Sequence, residues 1–567
     1  MIKMSGNFID YSQFKISRFR IVVTWMAILL LFGFLITRLL WIQILHPERL
    51  ISEGNNRVER LYSFEPARGL ITDRFGKILA ISVPVKAIYA DALVINDKRV
   101  IHDPDKIRAI AAILQMDPRD LFNKLSNKRK RNVLLSRHLA TDKAQELEAL
   151  KVPGIMIRDN YQRYYPTGRI NAHLIGLLNA DGKGTYGVEQ SFNTYLSAQK
   201  ASHKAIKDGK GHIIENLNVV QEGRAGGNLR LSIDDRLQTF AFSKLIETVE
   251  EFDASSAMVV MIDVKTGEVL VMVNYPSFDP NDRSHFIAEH ATNRIITDTF
   301  EPGSTVKPII ALSALENKAV TWNEVFDTRP YVVDGKTIRD THFMEYGTLK
   351  DILKFSSNTG MAHITQRMGP APVINTLQRF GFGQATSSGL VGESSGRLNE
   401  NRRFWAEIDK ATLGYGYGYT VTALQLASAY ATLANNGARH PVSILSVHKQ
   451  PEQMQVGSIQ EIKRLQSVLE TIVSEGTGSK ASITRYRIAG KTGTARVATR
   501  KGYSENYISS FAGFAPISNP RFAMVAVVRE PKKKSYYGGA VSGPIFKDVM
   551  TRALQLYNVP PDAQEKP

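Results

Sequence analysis

The sequence predicts an α+β chain held by a single N-terminal transmembrane helix, and three observations carry that reading. An uncharged apolar stretch runs from Ile21 to Ile36. Between Leu50 and about Gly227, short strand-like runs alternate with helical stretches and with turn clusters rich in Gly and Asp. Beyond Asn228, two hairpin signals stand at opposite ends of a long, mostly helical region, which implies one sheet built from distant chain segments.

The apolar stretch is broken only by Thr24 and Gly33, and a basic leader with Lys3, Lys15, Arg18 and Arg20 precedes it. At about 1.5 Å per residue, Ile21 to Ile36 reaches only ~24 Å of a ~30 Å hydrocarbon core. Leu39 to Leu45 extends the segment past Arg38 to a sufficient length. No small-x-small cleavage site follows, so an uncleaved anchor over 21–45 is expected behind a cytoplasmic tail of 1–20. Arg38 is placed either to snorkel to the interface or to face a partner helix. Four cationic residues before the span face Arg49, Arg57 and Arg60 after it, a thin bias toward an inside N-terminus. No second apolar run of comparable length follows, so the expected topology is bitopic.

In the next region, helices are expected at Asp105 to Leu114 and Thr141 to Leu150. The Lys128-Arg129-Lys130-Arg131 run reads as a solvated face. Gly223 to Asn228 reads as a glycine-rich linker, which sets a boundary between an α+β module at 46–227 and a larger domain at 228–558, with a flexible tail at 559–567. The larger domain opens with a helix from Asp234 into the 240s. A hairpin follows, from Ala257 to Asp263 and Glu268 to Val273 around Lys265-Thr266-Gly267. The second hairpin pairs Tyr507 to Phe514 with Arg521 to Val528, around Pro516 and Pro520.

Composition narrows the chemistry. The 567 residues are 43% hydrophobic and 22% charged, a globular balance. With no cysteine, disulfide frameworks, thiolate metal sites and thiol nucleophiles are excluded, and any nucleophile is oxygen or nitrogen. The twelve histidines show no metal-ligand spacing, and His285 and His290 read as solvated or structural. Lys and Arg outnumber Asp and Glu by 72 to 54, a net +18 that calls for an acidic partner or surface.

The candidate nucleophile is Ser304 in Glu301-Pro302-Gly303-Ser304-Thr305-Val306-Lys307-Pro308, which heads a helix-like run. Positions i and i+3 share a helix face, so the Lys307 amine can reach Ser304 Oγ. A serine needs an activating base, and a lysine serves as one only where burial or nearby cations favour its neutral form. An S-x-x-K string alone is common on surface helices. Two further elements give it context: Ser356-Ser357-Asn358-Thr359-Gly360 and, later, Lys491-Thr492-Gly493-Thr494.

The ordered set S-x-x-K, S-x-N, K-T-G resembles the signature of the penicillin-binding and serine β-lactamase superfamily. The similarity extends to Arg68-Gly69-Leu70-Ile71-Thr72-Asp73-Arg74, Arg163-Tyr164-Tyr165-Pro166, Ala172-His173 and Gly187-Val188-Glu189-Gln190, which resemble the pedestal of class B, monofunctional penicillin-binding proteins. Gly414 to Tyr419, Thr422 to Leu426, Tyr536 to Val541 and Asn358 look most like the division-specific members. The chain departs from the family after K-T-G-T-A, where Arg496 is followed by Val497-Ala498-Thr499 instead of further basic residues.

The resemblance implies an elongated α+β pedestal at 46–227 and a transpeptidase domain at 228–558 with helices on both sides of an antiparallel sheet. It implies that Ser304 attacks the penultimate D-Ala carbonyl of a D-Ala-D-Ala stem peptide, Lys307 takes its proton, and a neighbouring amine resolves the acyl-enzyme into a cross-link. Ser356, assisted by Lys491, would pass a proton to the departing D-Ala, and Asn358 would steady Lys307 and the peptide. Thr492 and Thr494 would bind the terminal carboxylate, Gly493 lies between them, and backbone N–H groups of Ser304 and Thr494 would form the oxyanion hole. No metal, cofactor or nucleic acid is implied. The implied partners are peptidoglycan stem peptides, β-lactams bound covalently at Ser304, a polytopic glycan polymerase of the FtsW type and other divisome proteins. The implied location is the bacterial inner membrane at the septum, with the catalytic domain in the periplasm.

Residues 1–20 carry net +3, leaving +15 that is assigned to anionic lipid headgroups and acidic wall polymer rather than nucleic acid. Other readings of the same motifs are an elongation-type transpeptidase, a divisome scaffold with secondary catalysis, and a β-lactam sensor or β-lactamase.

Overall fold

The computed structural model describes residues 17–45, 48, 52–53, 59–64, 66–207, 213–447, 449, 452–499 and 502–563. Most of the leader, Arg49 and Arg57 of the charge bias, and the end of the polar tail lie outside the described residues. The chain divides into two compact units, one formed by 1–66 with 199–224 and the other by 67–198 with 225–567.

In the first unit, a helix from Arg18 to Leu40 runs through Arg38 without a break and ends in a wider turn, Trp41 to Leu45. The 27 residues from Arg18 to Ile44 are long and apolar enough to cross a membrane, roughly 40 Å at about 1.5 Å per residue. The hydroxyls of Thr24 and Thr37 donate to the carbonyls of Arg20 and Gly33 at 2.8 and 2.7 Å, so these polar groups are satisfied inside the helix. The Arg38 guanidinium lies 4.7 Å from the Trp41 ring centroid, an amphipathic pair suited to a membrane interface. The same unit holds a three-stranded antiparallel sheet of Glu59–Phe64, Ala201–Lys207 and Ile213–Gln221, with Ala201–Lys207 in the middle.

In the second unit, the long strand Ile78–Ala90 pairs with both Val133–Leu139 and Ile155–Tyr164. Helices Pro104–Leu114, Pro118–Leu125 and Thr141–Ala149 cover this sheet through Ile107, Ile110, Leu121, Leu125, Ala144 and Leu147. Asp103 and Asp117 cap the first two through their side chains, each followed by proline in the first turn. Lys128 to Arg131 lie in an exposed loop, where Arg131 pairs with Asp91 at 2.8 Å.

The stretches that carried the pedestal resemblance meet in space. Glu189, fully buried, accepts from Arg68 Nε at 2.6 Å and from Arg163 Nε at 2.7 Å, so one buried carboxylate joins three distant segments. His173 is buried against the His290 carbonyl at 2.8 Å, and burial lowers its pKa to about 4.

The glycine-rich stretch expected as a linker is a packed crossing for at least its later half. Gly226 and Gly227 donate to the carbonyls of Ala67 and Tyr195 at 3.1 and 2.8 Å. A Cβ at Gly226 would lie 1.8 Å from the Leu196 carbonyl oxygen. These glycines let backbones approach one another closely; they do not supply slack.

The catalytic-type domain is built from α1 (Asp235–Phe252), β1 (Ser256–Asp263), β2 (Val269–Tyr275), α2 (Lys307–Glu316), α3 (Leu349–Lys354), α4 (Asn358–Met368), α5 (Ala423–Ala434), α6 (Ile459–Ser474), β3 (Ala489–Thr499), β4 (Gly502–Ala515), β5 (Phe522–Arg529) and α7 (Gly538–Leu556). The antiparallel sheet has the order β2-β1-β5-β4-β3, so the predicted hairpins β1-β2 and β4-β5 join at the centre through β1 and β5. Ala257, Val259 and Met261 of β1 pack with α1 and α7, whereas Met258, Val260 and Ile262 pack with α2 and α5. Both faces are covered, which explains why β1 and β5 read as continuous apolar runs instead of alternating. The K-T-G segment, read as lying just before the second hairpin, is itself the edge strand β3.

Candidate active site

Gly303 to Val306 form one turn of 3-10 helix that leads directly into α2 at Lys307. In a 3-10 turn, residues i and i+3 eclipse, so Ser304 and Lys307 face the same way more closely than in an α-helix. The turn is held on several sides. Gly303 N–H donates to the Gly416 carbonyl at 3.1 Å, Tyr430 OH donates to the Thr305 carbonyl at 2.7 Å, and Thr305 Oγ1 donates to the Pro302 carbonyl at 2.7 Å. Glu301 Oε1 accepts from Gly418 N–H at 2.8 Å and from Tyr503 OH at 3.1 Å, and burial raises the pKa of this carboxyl. The Gly414 to Tyr419 stretch thus forms the wall that supports the Ser304 turn.

Lys307 is completely buried, and its Nζ points at the segment between α3 and α4. It donates to the carbonyls of Ser356 at 2.7 Å and Ser357 at 3.1 Å and to Asn358 Oδ1 at 2.8 Å, and it lies 3.3 Å from Ser356 Oγ. The expected reach of Lys307 to Ser304 is not a formed hydrogen bond here, because these acceptors hold the amine. Burial, and then the charge of Lys491, push the Lys307 pKa well below the ordinary lysine range, while Asp340 opposes that shift. A neutral amine can accept a proton, which is the condition for a base beside Ser304.

The turn presenting these groups has a specific local cause. Ser356 has φ +61°, in the left-handed region, and closes the C-terminus of α3. Its N–H donates to the Leu353 carbonyl, and the next N–H, of Ser357, reaches back to the Ile352 carbonyl at 2.9 Å. This is the Schellman pattern, whose left-handed position is usually glycine. Ser357 then caps α4 by accepting from Gly360 N–H at 2.9 Å. Two helix ends placed back to back therefore expose the Ser356 hydroxyl and two carbonyls toward Lys307.

Strand β3 supplies the opposite wall. Lys491 is completely buried, its Nζ donates to the Thr492 carbonyl at 3.3 Å, and burial lowers its pKa to about 7. Thr492 Oγ1 lies 3.1 Å from Thr477 Oγ1. Thr494 Oγ1 accepts from Gly538 N–H, the first of α7, at 3.0 Å, which leaves its own proton to donate elsewhere. A Cβ at Gly493 would lie 2.4 Å from Ser510 Oγ and 2.8 Å from Thr305 Cγ2, so this glycine allows the edge strand to approach the Ser304 turn. An edge strand beside a serine turn also offers unpaired backbone groups along which an extended peptide can align.

All eight residues singled out from the sequence thus lie in three neighbouring segments: the 303–307 turn, the 356–358 turn, which holds Lys307 Nζ, and strand β3, whose Gly493 lies against Thr305. The sequence reading did not single out Asp340, Ser357, Thr477, Tyr430, Glu301 or Tyr503. None of these carries a motif of its own; the one local signal was Ser357, an N-cap type directly before a helix.

Comparison with known proteins identifies the family. Residues 257–551 match the penicillin-binding protein transpeptidase domain, and residues 63–231 match the penicillin-binding protein dimerisation domain. The chain belongs to the class B penicillin-binding proteins. This penicillin-binding protein is 41% identical over 540 residues to the peptidoglycan D,D-transpeptidase FtsI of Escherichia coli K12, covering 95% of this chain and 92% of that one. It is 38% identical over 548 residues to the FtsI of Buchnera aphidicola subsp. Schizaphis graminum, covering 95% of each chain. A solved peptidoglycan synthetase from Bifidobacterium adolescentis shares the fold with a TM-score of 0.71 at 24% identity, covering 90% of this chain and 98% of that one.

Proposed function

We propose that this protein is a serine-type peptidoglycan D,D-transpeptidase, with Ser304 as nucleophile and residues 46–227 as a pedestal for a transpeptidase domain at 228–558. The observation that carries the reading is the enclosure of Lys307: a fully buried amine, held among Ser356, Ser357 and Asn358, one 3-10 turn from Ser304. Burial makes its neutral form accessible. In the proposed reaction Ser304 Oγ bonds to the carbonyl carbon of the penultimate D-Ala as its proton passes to Lys307 Nζ. The negative charge on the carbonyl oxygen is met by backbone N–H groups of Ser304 and Thr494, a kind of contact typically worth roughly 3–4 kcal/mol per donor. The C–N bond then breaks, and the terminal D-Ala leaves as an amine that takes a proton through Ser356 Oγ, with Lys491 behind it. An amine of a second stem peptide attacks the ester, an amide forms, and Ser304 regains its proton.

Thr492 and Thr494 suit the substrate carboxylate, since Thr494 has a free hydroxyl proton and stands at the positive N-terminal end of α7. β-Lactams acylate the same serine under this reading. The relatives named FtsI support a role in division, with the N-terminal helix as a single-pass anchor, the N-terminus in the cytoplasm, and an FtsW-type polymerase and other septal proteins as partners. Fluorescent penicillin is expected to label the wild-type protein covalently and to leave Ser304→Ala unlabelled. A wild-type protein that takes no label at saturating drug refutes the catalytic reading. Midcell fluorescence of a tagged chain in dividing cells tests the septal assignment, and uniform peripheral signal contradicts it.

A further inference from the structure

Asp340, in the segment leading from the short strand Lys336–Ile338 toward α3, belongs to none of the three motifs, yet its carboxylate sits behind the 356–359 turn. Oδ1 accepts from the backbone N–H groups of Asn358 and Thr359, the latter at 3.0 Å. These are the first two donors of α4, which have no partner within their own helix. Oδ2 accepts from Ser357 Oγ and lies 2.7 Å from Thr359 Oγ1, whose proton can go there or to the Thr328 carbonyl at 2.8 Å. The Ser357 hydroxyl meanwhile accepts from Gly360 N–H. One carboxylate therefore ties down three consecutive residues on the face of the turn away from Lys307.

The opposite face of the same turn supplies every hydrogen-bond acceptor around Lys307 Nζ: the Ser356 and Ser357 carbonyls, Asn358 Oδ1 and Ser356 Oγ. The turn includes a serine in the left-handed region, a conformation unfavourable for an L-residue and kept only where the surroundings enforce it. A carboxylate at a helix N-terminus is also favoured by the helix dipole.

We infer that Asp340 is a positioning residue of the active site: by clamping the start of α4 it fixes the 356–358 turn, and through the turn it sets the place of Lys307 Nζ beside Ser304. Its charge gives it a second, separable effect, since Asp340 and Lys491 are the charged groups that act on Lys307, with opposite sign. The inference rests on the serine-acylation reading above.

Two variants of the full-length protein in detergent separate the effects. Asp340→Asn keeps an oxygen acceptor for the two N–H groups and removes the charge; Asp340→Ala removes both. The readout is the rate of acylation by fluorescent penicillin from pH 5 to 9, per site titrated at saturating label, so that unfolded protein lowers the amplitude and not the rate. Asp340→Asn is expected to keep a plateau rate within about threefold of wild type while its acid limb moves to lower pH by about half a unit or more, because Lys307 loses a stabilising anion. Asp340→Ala is expected to lose at least about tenfold in plateau rate. A plateau for Asp340→Ala within twofold of wild type overturns the inference, as does an unmoved acid limb in Asp340→Asn; if the alanine variant does not fold, the asparagine limb decides. Wild-type protein that takes no label defeats the underlying serine-acylation reading instead.

Discussion

Replacing Ser356 by glycine separates what the turn costs from what its hydroxyl does. In a left-handed conformation a Cβ costs roughly 1–2 kcal/mol, which glycine avoids. Against that, glycine loses about 0.5–1 kcal/mol more chain entropy on folding. The Ser356 Oγ contact with Lys307 at 3.3 Å is at the long end for a hydrogen bond and is worth at most about 0.5 kcal/mol. The balance runs from about 0.5 kcal/mol less stable to about 1.5 kcal/mol more stable, which at roughly 2 °C per kcal/mol for a domain of this size puts the unfolding midpoint between about 1 °C lower and about 3 °C higher. The backbone carbonyls that hold Lys307 remain. What disappears is a hydroxyl in a position to relay a proton, a function typically worth 10²- to 10⁴-fold in rate. Differential scanning calorimetry and stopped-flow acylation on the same preparation therefore move in different directions: the midpoint holds or rises while acylation falls by about 100-fold or more. A midpoint lowered by more than about 3 °C refutes the strain argument, and an unchanged acylation rate refutes the proton-relay role.

Three further outcomes are expected. Lys491 is lowered to about 7 in the folded protein from 10.5, so the unfolded chain binds the extra proton between those pH values and stability rises with pH across that window. Denaturant titrations of Lys491→Met should show a flatter profile there, and an unaltered slope contradicts the assignment. Gly493→Ala places a Cβ against Ser510 Oγ and Thr305 Cγ2 and should push β3 from the Ser304 turn, lowering acylation by about tenfold or more; wild-type kinetics would show that the strand has room. Removal of residues 1–45 should yield protein that stays in solution without detergent and acylates within about twofold of the full chain, and detergent dependence that persists would place the membrane attachment elsewhere.

Much of the architecture was legible because it rests on local patterns. The apolar span, the helices near 105–114 and 141–149, and both hairpins follow from periodicity and turn residues. The packing of Gly226 and Gly227 was not legible, since close backbone approach and chain flexibility select the same residue, although the division between the two units does fall inside the glycine-rich stretch. Asp340 stayed invisible because it acts across 18 or 19 residues of chain on backbone N–H groups, and a carboxylate in a loop carries no pattern to mark it.

By itself the sequence determined which functional groups are available: an oxygen nucleophile in a chain without cysteine, two motif lysines and an ordered set of short motifs. What only the tertiary structure decided is the state of those groups. Lys307 and Lys491 are ordinary cations until helices and sheet remove water from them. Ser356 is an ordinary serine until two helix ends, with Asp340 behind them, hold it in a conformation that it would not keep alone. Motif identity is a property of neighbouring residues along the chain, whereas burial and strain are set by residues far apart in it, and that is why the second could not be read from the first.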